Sequence, residues 1–445
     1  MRIDEIDIRN FRGFEDKTFR FHPHINVVVG NNTSGKTALL HAVQIALGAY
    51  LRHLDLLSVA NGQYRRNFSR TDLPTRYDYD KKQFIPINGT PSIHTRGIFT
   101  ENIENIDGTS PIQKETAIEW TRELNYNTSD HGEMKEMVKE LARVRRIEGT
   151  NGYAIMPLFL SFGTKRLEEK KRSKPKNKGI EIAIEKAYKD ALNEEVDLKS
   201  AFDWLFRLPN DIKKGLAFQD SEQVFIDTLK TAIPAVKDII INRVTNQFEA
   251  QYQVTGLPLD YRTYETMSDG FKSTISIVAA IAYRCILLNG FLGVEAIRKT
   301  PGVVTIDEVD LFLHPRWQRH ILQDFQRAFP NIQFIVTTHS PFIIQSVRNE
   351  NLTVLEGFDK TIDPDNMGLE EIADTLMGMT GELRSKKYNE KFSLATDYLT
   401  LVNEGNGDPS KIAEIRARLE ELEVREEMIE DPAFAAYLRF KRGNV

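Results

Sequence analysis

Cysteine is nearly absent: one thiol, Cys285, stands in 445 residues. That excludes a disulfide framework and a cysteine-based zinc cluster. Its setting in the apolar stretch ISIVAAIAYRCILL predicts a buried core thiol. Long hydrophobic runs are scarce too. No stretch approaches the ~20 consecutive apolar residues of a membrane span, and no basic start leads into an apolar run at the beginning. The expectation is a cytoplasmic chain without membrane contact. No charge sign dominates: 59 Lys and Arg stand against 64 Asp and Glu, a net charge of −5. This argues against a surface that binds nucleic acid all over, while leaving room for local basic patches. What is present, 41% hydrophobic and 28% charged residues, suits a globular chain of two or three domain-sized units with a large core.

The opening reads as strands. RIDEIDIRNF places Ile3, Ile6 and Ile8 in loose alternation, and the apolar run of TFRFHPHINVVVG stops at Gly30. A helix is expected from Lys36 to about Tyr50, with Ala38, Leu39, Ala42, Ile45 and Ala46 on one face. Residues 52–149 are polar and loop-rich, with strand-like pieces such as GTPSIHTRGIF. YAIMPLFLSFG (153–163) reads as a buried strand, and 180–250 as mostly helical. From 251 to 345 strands and helices alternate: QYQVTG, the helix after Gly270, GVVTID, a helix, then IQFIVTT. Such alternation implies a parallel sheet covered by helices. Near the end, Tyr388, Phe392, Ala395, Leu399 and Val402 recur at helical spacing, as do Ile412, Ile415, Leu419 and Leu422. NEGNGDP between them supplies turn residues, with Asp408 as N-cap and Pro409 at the first helical position. A helical hairpin is expected there.

GNNTSGKT, Gly30 to Thr37, satisfies G-x-x-x-x-G-K-[ST] in full, after an apolar strand and before a helix. Gly30 and Gly35 permit the tight wrap, and the amides of Asn31, Asn32, Thr33, Ser34 and on to Ala38 are the candidate phosphate cradle. Lys36 reaches the β- and γ-oxygens, and the Thr37 hydroxyl is the candidate Mg²⁺ ligand beside ATP. A second acidic element follows later. GVVTIDEVD ends a buried strand in Asp307 and Glu308, at the strand edge where α/β sheets bind ligands. Asp307 would hold the metal shell, and Glu308 would orient and deprotonate an attacking water. Asp310 reads as a helix-start or surface carboxylate. One strand on, IQFIVTTHSPF ends in Thr338, His339 and Ser340. His339 is either structural or, beside the acidic strand, a partner for the γ-phosphate.

In order, GNNTSGKT, MSDG (267–270), the acidic strand (303–308) and TTHSPF (337–342) resemble the ABC-type ATPases of the SMC, Rad50, RecF and OLD group. The resemblance implies an α/β P-loop ATPase head with mixed sheet, an inserted helical lobe and a C-terminal helical hairpin. The units it implies are 1–150, a lobe with the phosphate loop; 151–260, an inserted mainly helical lobe; 261–360, a lobe with signature turn, acidic strand and switch histidine; and 361–445, a helical segment. In that family Ser268 and Gly270 of one head would clasp the γ-phosphate held by Lys36 of a second head, in an isologous dimer. The common Leu-Ser-Gly-Gly is here Met267-Ser268-Asp269-Gly270. IRNFRGFED looks like the family's first strand, with Arg12 placed to contact nucleotide. Asp72 and Gln113 are weak candidates for a glutamine loop.

MPLFLSFGTKR, AFDWLFRLPNDIKK, MSDGFKSTISIVAAIAYR and DPAFAAYLRFKRG narrow the likeness to PtuA-type ATPase subunits of anti-phage Septu and retron systems. The resemblance implies an ATPase, an accompanying HNH-type nuclease subunit, and a homodimer or higher oligomer. A RecF- or Rad50-type repair ATPase is the alternative, and a transporter ATP-binding subunit a more distant one. Glu356, Asp363 and Asp365 mimic a metal-nuclease carboxylate set, but stand too close in sequence for a strand-helix-strand crossover of roughly 10–12 residues. No nuclease in this chain is expected. Eight basic residues fall between Lys165 and Lys178, and Arg143, Arg145 and Arg146 form a smaller cluster. Either they meet a phosphate backbone, with salt-dependent affinity, or they are solvated surface; Arg166, closely following a predicted strand, is alternatively placed near the nucleotide.

Overall fold

The computed structural model describes residues 1–54, 57, most of 66–168, most of 183–379 and a few residues between 393 and 417. Met1–Ile372 forms one compact unit and Ala373–Val445 another. Of the apolar residues expected to line the terminal hairpin, all but Ile415 lie outside the described residues.

The first unit is an α/β fold of mixed sheets. Five parallel strands run in the order Leu158–Phe162, Gly302–Ile306, Ile332–Thr337, Ile25–Val29, Leu352–Val354. The first four of these strands are buried at every position, as expected of a parallel sheet covered on both faces. A second, antiparallel sheet pairs Arg2–Phe11 with Phe14–Arg20 on one side and Ser92–Asn105 on the other. Ser92–Asn105 in turn pairs with Ile112–Glu123 over a long register from Ser92↔Glu123 to Ile103↔Ile112.

The phosphate-loop helix, Lys36–His53, lies between the two sheets. It touches Ser92–Asn105 and Ile112–Glu123 as well as the strands Gly302–Ile306 and Ile332–Thr337. It is buried almost all round, which explains why its apolar residues do not form a single stripe. Two buried donors from the antiparallel sheet reach its backbone: Trp120 Nε1 to the Ala46 carbonyl (3.0 Å) and Arg122 Nη1 to the Ile45 carbonyl (2.9 Å).

Three expectations need correction. Residues 236–252 are strands: Val236–Asn242 and Gln247–Tyr252 form an antiparallel hairpin extended by Asp260–Thr263. Asn246 at φ 52 takes the left-handed turn position, and among the described residues of this region the helices are Ala183–Tyr188, Leu198–Lys213 and Ser221–Ala232. The segment drawn from 151 to 260 also supplies Leu158–Phe162 to the parallel sheet, in register with Gly302–Ile306. Finally, one helical run, Asp269–Lys299, is long and apolar enough to cross a membrane by length and composition. Its apolar window is 72% buried within the unit, as in a core helix. Cys285 lies in it, fully buried, and burial pushes its thiol up to about 12.

Candidate active site

Register brings the predicted residues to one edge. Phe162 pairs with Ile306, Ile306 with Val336, and Thr337 with Val28. The residues that follow these strand ends, Gly30, Asp307 with Glu308, and Thr338 with His339, therefore line up along the carboxyl edge of the parallel sheet, the usual ligand-binding edge.

The phosphate loop wraps as its glycines require. Gly35 sits at φ 100, and a Cβ there would come within 2.8 Å of the Phe14 ring. A Cβ on Gly30 would meet Ser34 Oγ at 2.6 Å. Thr33 holds φ 77 without being glycine, a strained position of the kind that gathers at functional sites. Asn31, Asn32 and Thr33 are exposed, Ser34 and Gly35 partly so, and Ala38 is buried. Lys36 folds back on the loop, its ammonium donating to the carbonyls of Gly30 (2.8 Å) and Asn31 (2.9 Å).

Asp307 is tied on both oxygens. Thr37 donates its hydroxyl to Oδ2 at 3.0 Å, and Thr337 donates to Oδ1 at 2.5 Å. A hydroxyl and a carboxylate at this spacing form a hard-oxygen donor set that suits Mg²⁺. Glu308 adopts φ 48, its amide held by the Thr337 hydroxyl at 2.8 Å. Its side chain is only partly buried. Asp310 is neither a helix start nor a free surface group. It accepts from the Thr338 hydroxyl (2.5 Å) and the His339 amide (3.3 Å), so it shapes the turn that carries His339.

Ser268 is the exposed N-cap of the helix Asp269–Asn289, while Met267 beneath it is buried. A Cβ on Gly270 would lie 2.6 Å from the Phe312 carbonyl. The glycine therefore has a reason inside its own chain: the loop after the acidic strand packs directly on the signature turn. Phe312 itself is at φ 70 and 46% exposed.

Arg12 sits in the turn after Arg2–Phe11 at φ 52. Its Nε donates to the Asp72 carboxylate at 2.8 Å, and its amide to the Asp72 carbonyl at 2.9 Å. Asp72 is wholly buried and further held by Ser69. Gln113 is an exposed strand residue opposite Asn102.

Sequence reasoning missed one group. His41, one turn beyond Thr37, bonds its ring to the Glu194 carboxylate, which Arg66 also approaches at 3.7 Å. The bond to His41 holds Glu194 below its ordinary value, and burial holds His41 below 6.5 despite that carboxylate. No local pattern signals a pair 153 residues apart. Arg166, which the sequence offered either to the basic run or to the nucleotide's surroundings, is buried, its guanidinium turned inward to the Asp307 carbonyl.

The remaining basic residues divide. Arg143 pairs with Glu140, and Arg145 donates to the Leu288 carbonyl at 2.8 Å over the Phe291 ring. Lys165 is exposed, and 169–178 lie outside the described residues. Asp363 accepts from the Asn349 amide at 2.9 Å, a capping role; Glu356 is outside the described residues.

The first curated relative, "Retron Vc95 probable ATPase" of Vibrio cholerae, is 32% identical over 44% of this chain and 38% of its own length. "Retron Ec83 probable ATPase" of Escherichia coli is 25% identical over 81% of this chain and 72% of its own. "Septu protein PtuA" of Bacillus mycoides is 28% identical over 46% of this chain and 26% of its own. The chain thus spans well under half of the first and third relatives. Residues 25–345 match the family model described as "AAA domain, putative AbiEii toxin, Type IV TA system", and residues 1–48 a second AAA-domain model. The phosphate loop, acidic strand and switch turn all fall within the first match, and the chain belongs to that AAA-domain family.

Proposed function

We propose that this chain binds and hydrolyses ATP as the ATPase subunit of an anti-phage defence complex. The observation that carries the reading is the 3.0 Å bond between Thr37 and Asp307, with Glu308 one residue further along the same strand edge. Lys36 and the amides from Asn31 to Ala38 hold the phosphates, and Arg12 flanks the nucleotide. Thr37 and Asp307 hold Mg²⁺, which when bound neutralises charge on the phosphate oxygens. Glu308 orients a water and takes its proton as the water oxygen attacks the γ-phosphorus. The bond to the bridging oxygen breaks, leaving ADP and phosphate. His339, on the turn held by Asp310, hydrogen-bonds the γ-phosphate.

Ser268 and Gly270, exposed or partly exposed at a helix N-terminus, present free amides to an anion. In this reading the anion is the γ-phosphate on a second copy, so ATP joins two heads and hydrolysis releases them. The names of the retron ATPases and of Septu PtuA support the defence role; a cytoplasmic location and a separate effector, an HNH-type nuclease, belong to our reading. In this reading exposed Lys165 contacts nucleic acid together with the basic residues from Lys170 to Lys178.

Phosphate release from Mg-ATP tests the enzymatic core. Activity that is lost in Glu308→Gln but accompanied by retained nucleotide binding supports it. Turnover equal to the unaltered protein would remove Glu308 from the mechanism.

A further inference from the structure

Arg166 follows the strand Leu158–Phe162 and is 4% exposed. All five of its N–H donors are used. Nε donates to Ser273 Oγ at 2.9 Å. Nη1 donates to the carbonyls of Gly163 (3.2 Å) and Asp307 (2.9 Å), and Nη2 to those of Glu308 (2.8 Å) and Leu311 (3.3 Å). Burial lowers its pKa to about 10, with Asp310, Glu308 and Asp307 opposing the shift, so it stays charged at neutral pH.

Three of these acceptors are backbone carbonyls of the loop that carries the candidate base. Of the other two, Gly163 lies just past the strand that precedes Arg166, and Ser273 is buried on the signature helix, five residues past Ser268. One rigid, planar fork therefore spans the two elements. A second contact reinforces it: Gly270 packs under the Phe312 carbonyl, and the Phe271 ring meets Trp317 edge-on at 4.2 Å. The loop 307–313 and the first two turns of the signature helix are held as one piece.

In the paired state proposed above, on which this inference rests, the two elements serve different nucleotides. Glu308 acts on the ATP of its own chain, while Ser268 grips that of the other. We infer that Arg166 is a positioning residue that couples the two ATP sites of the pair, setting Glu308 according to whether the signature turn of the same chain has engaged its partner's nucleotide. Without the fork each site would fire on its own.

Ser273→Ala tests this with the least disturbance, because it removes one of five bonds and leaves the carbonyl contacts in place. Arg166→Lys is the companion: it keeps the charge but cannot span the same acceptors. We would measure the Hill coefficient and kcat for Mg-ATP hydrolysis, with nucleotide affinity at protein concentrations where heads are single. The unaltered protein is expected to hydrolyse cooperatively. Ser273→Ala should lower the Hill coefficient to about one and kcat by about fivefold to tenfold, the scale of one lost hydrogen bond. Its single-head affinity should stay within about twofold. Arg166→Lys should do the same more severely; should it fail to fold, Ser273→Ala decides. A lower melting temperature with an unchanged Hill coefficient would make the role structural and overturn the inference. So would a non-cooperative parent. If Glu308→Gln heads pair with ATP yet Ser273→Ala behaves like the parent, only the coupling fails; if heads never pair, the composite-site reading fails with it.

Discussion

The Thr37 hydroxyl lies 3.0 Å from the Asp307 carboxylate although 270 residues separate them in the chain. The contact joins the first turn of the phosphate-loop helix to the end of the acidic strand. Asp307 is 8% exposed and meets Thr337 on its other oxygen. Replacing it with Ala should leave both hydroxyls without that acceptor and weaken the affinity for Mg²⁺. Titrating Mg²⁺ against ATP turnover should show half-activation moved up by about tenfold or more, the size of a lost charge-assisted contact.

Lys36 donates to two carbonyls of its own loop, Gly30 and Asn31. Lys36→Ala should abolish binding of a fluorescent ATP analogue while the helix, buried almost all round, keeps the fold. Retained tight binding would contradict the loop's assignment.

Glu308→Gln should keep nucleotide affinity and lower kcat by about 10²–10⁴, the usual range for a general base. A fall in affinity without loss of kcat would place Glu308 among the binding groups.

Gly270→Ala would put a Cβ 2.6 Å from the Phe312 carbonyl, whereas a Cβ on Gly13 meets nothing within 4 Å. Gly270→Ala should therefore cost stability and turnover together, by about 1–3 kcal/mol for overpacking, and Gly13→Ala should cost little. Paired melting curves and turnover rates check both. Equal behaviour of the two variants would show that the loop yields freely.

His41 gives a pH dependence. Burial places its folded-state pKa below the ordinary 6.5, so below 6.5 the unfolded chain binds more protons. Its stabilising contribution is full above 6.5 and is lost as pH falls through that window. Glu194, also depressed, loses its share below 4.5. The melting temperature should drop as pH falls below about 6.5, and His41→Gln should flatten that drop. An unchanged slope would free His41 from this role.

The phosphate loop was legible because its glycines and lysine encode a local backbone shape, which Gly35 at φ 100 shows directly. The acidic strand end and the parallel sheet were legible for a similar reason: fully buried strands read as continuous apolar runs. The hairpin over 236–252 was not, because VKDIIIN is an apolar run that helix and strand share. Arg166 carried a divided signal. Its charge matched its basic neighbours, while its acceptors are mainly backbone carbonyls, which leave no mark in a sequence. Asp310 was hidden likewise, since its partners Thr338 and the His339 amide come from the next strand's end.

In the mechanism proposed above, ATP joins two heads through Ser268 of one and Lys36 of the other. The mass of the Glu308→Gln protein in solution, with and without Mg-ATP, tests it most directly. A larger assembly is expected only with Mg-ATP, and adding Ser268→Arg should abolish it. An identical mass in both states would contradict it.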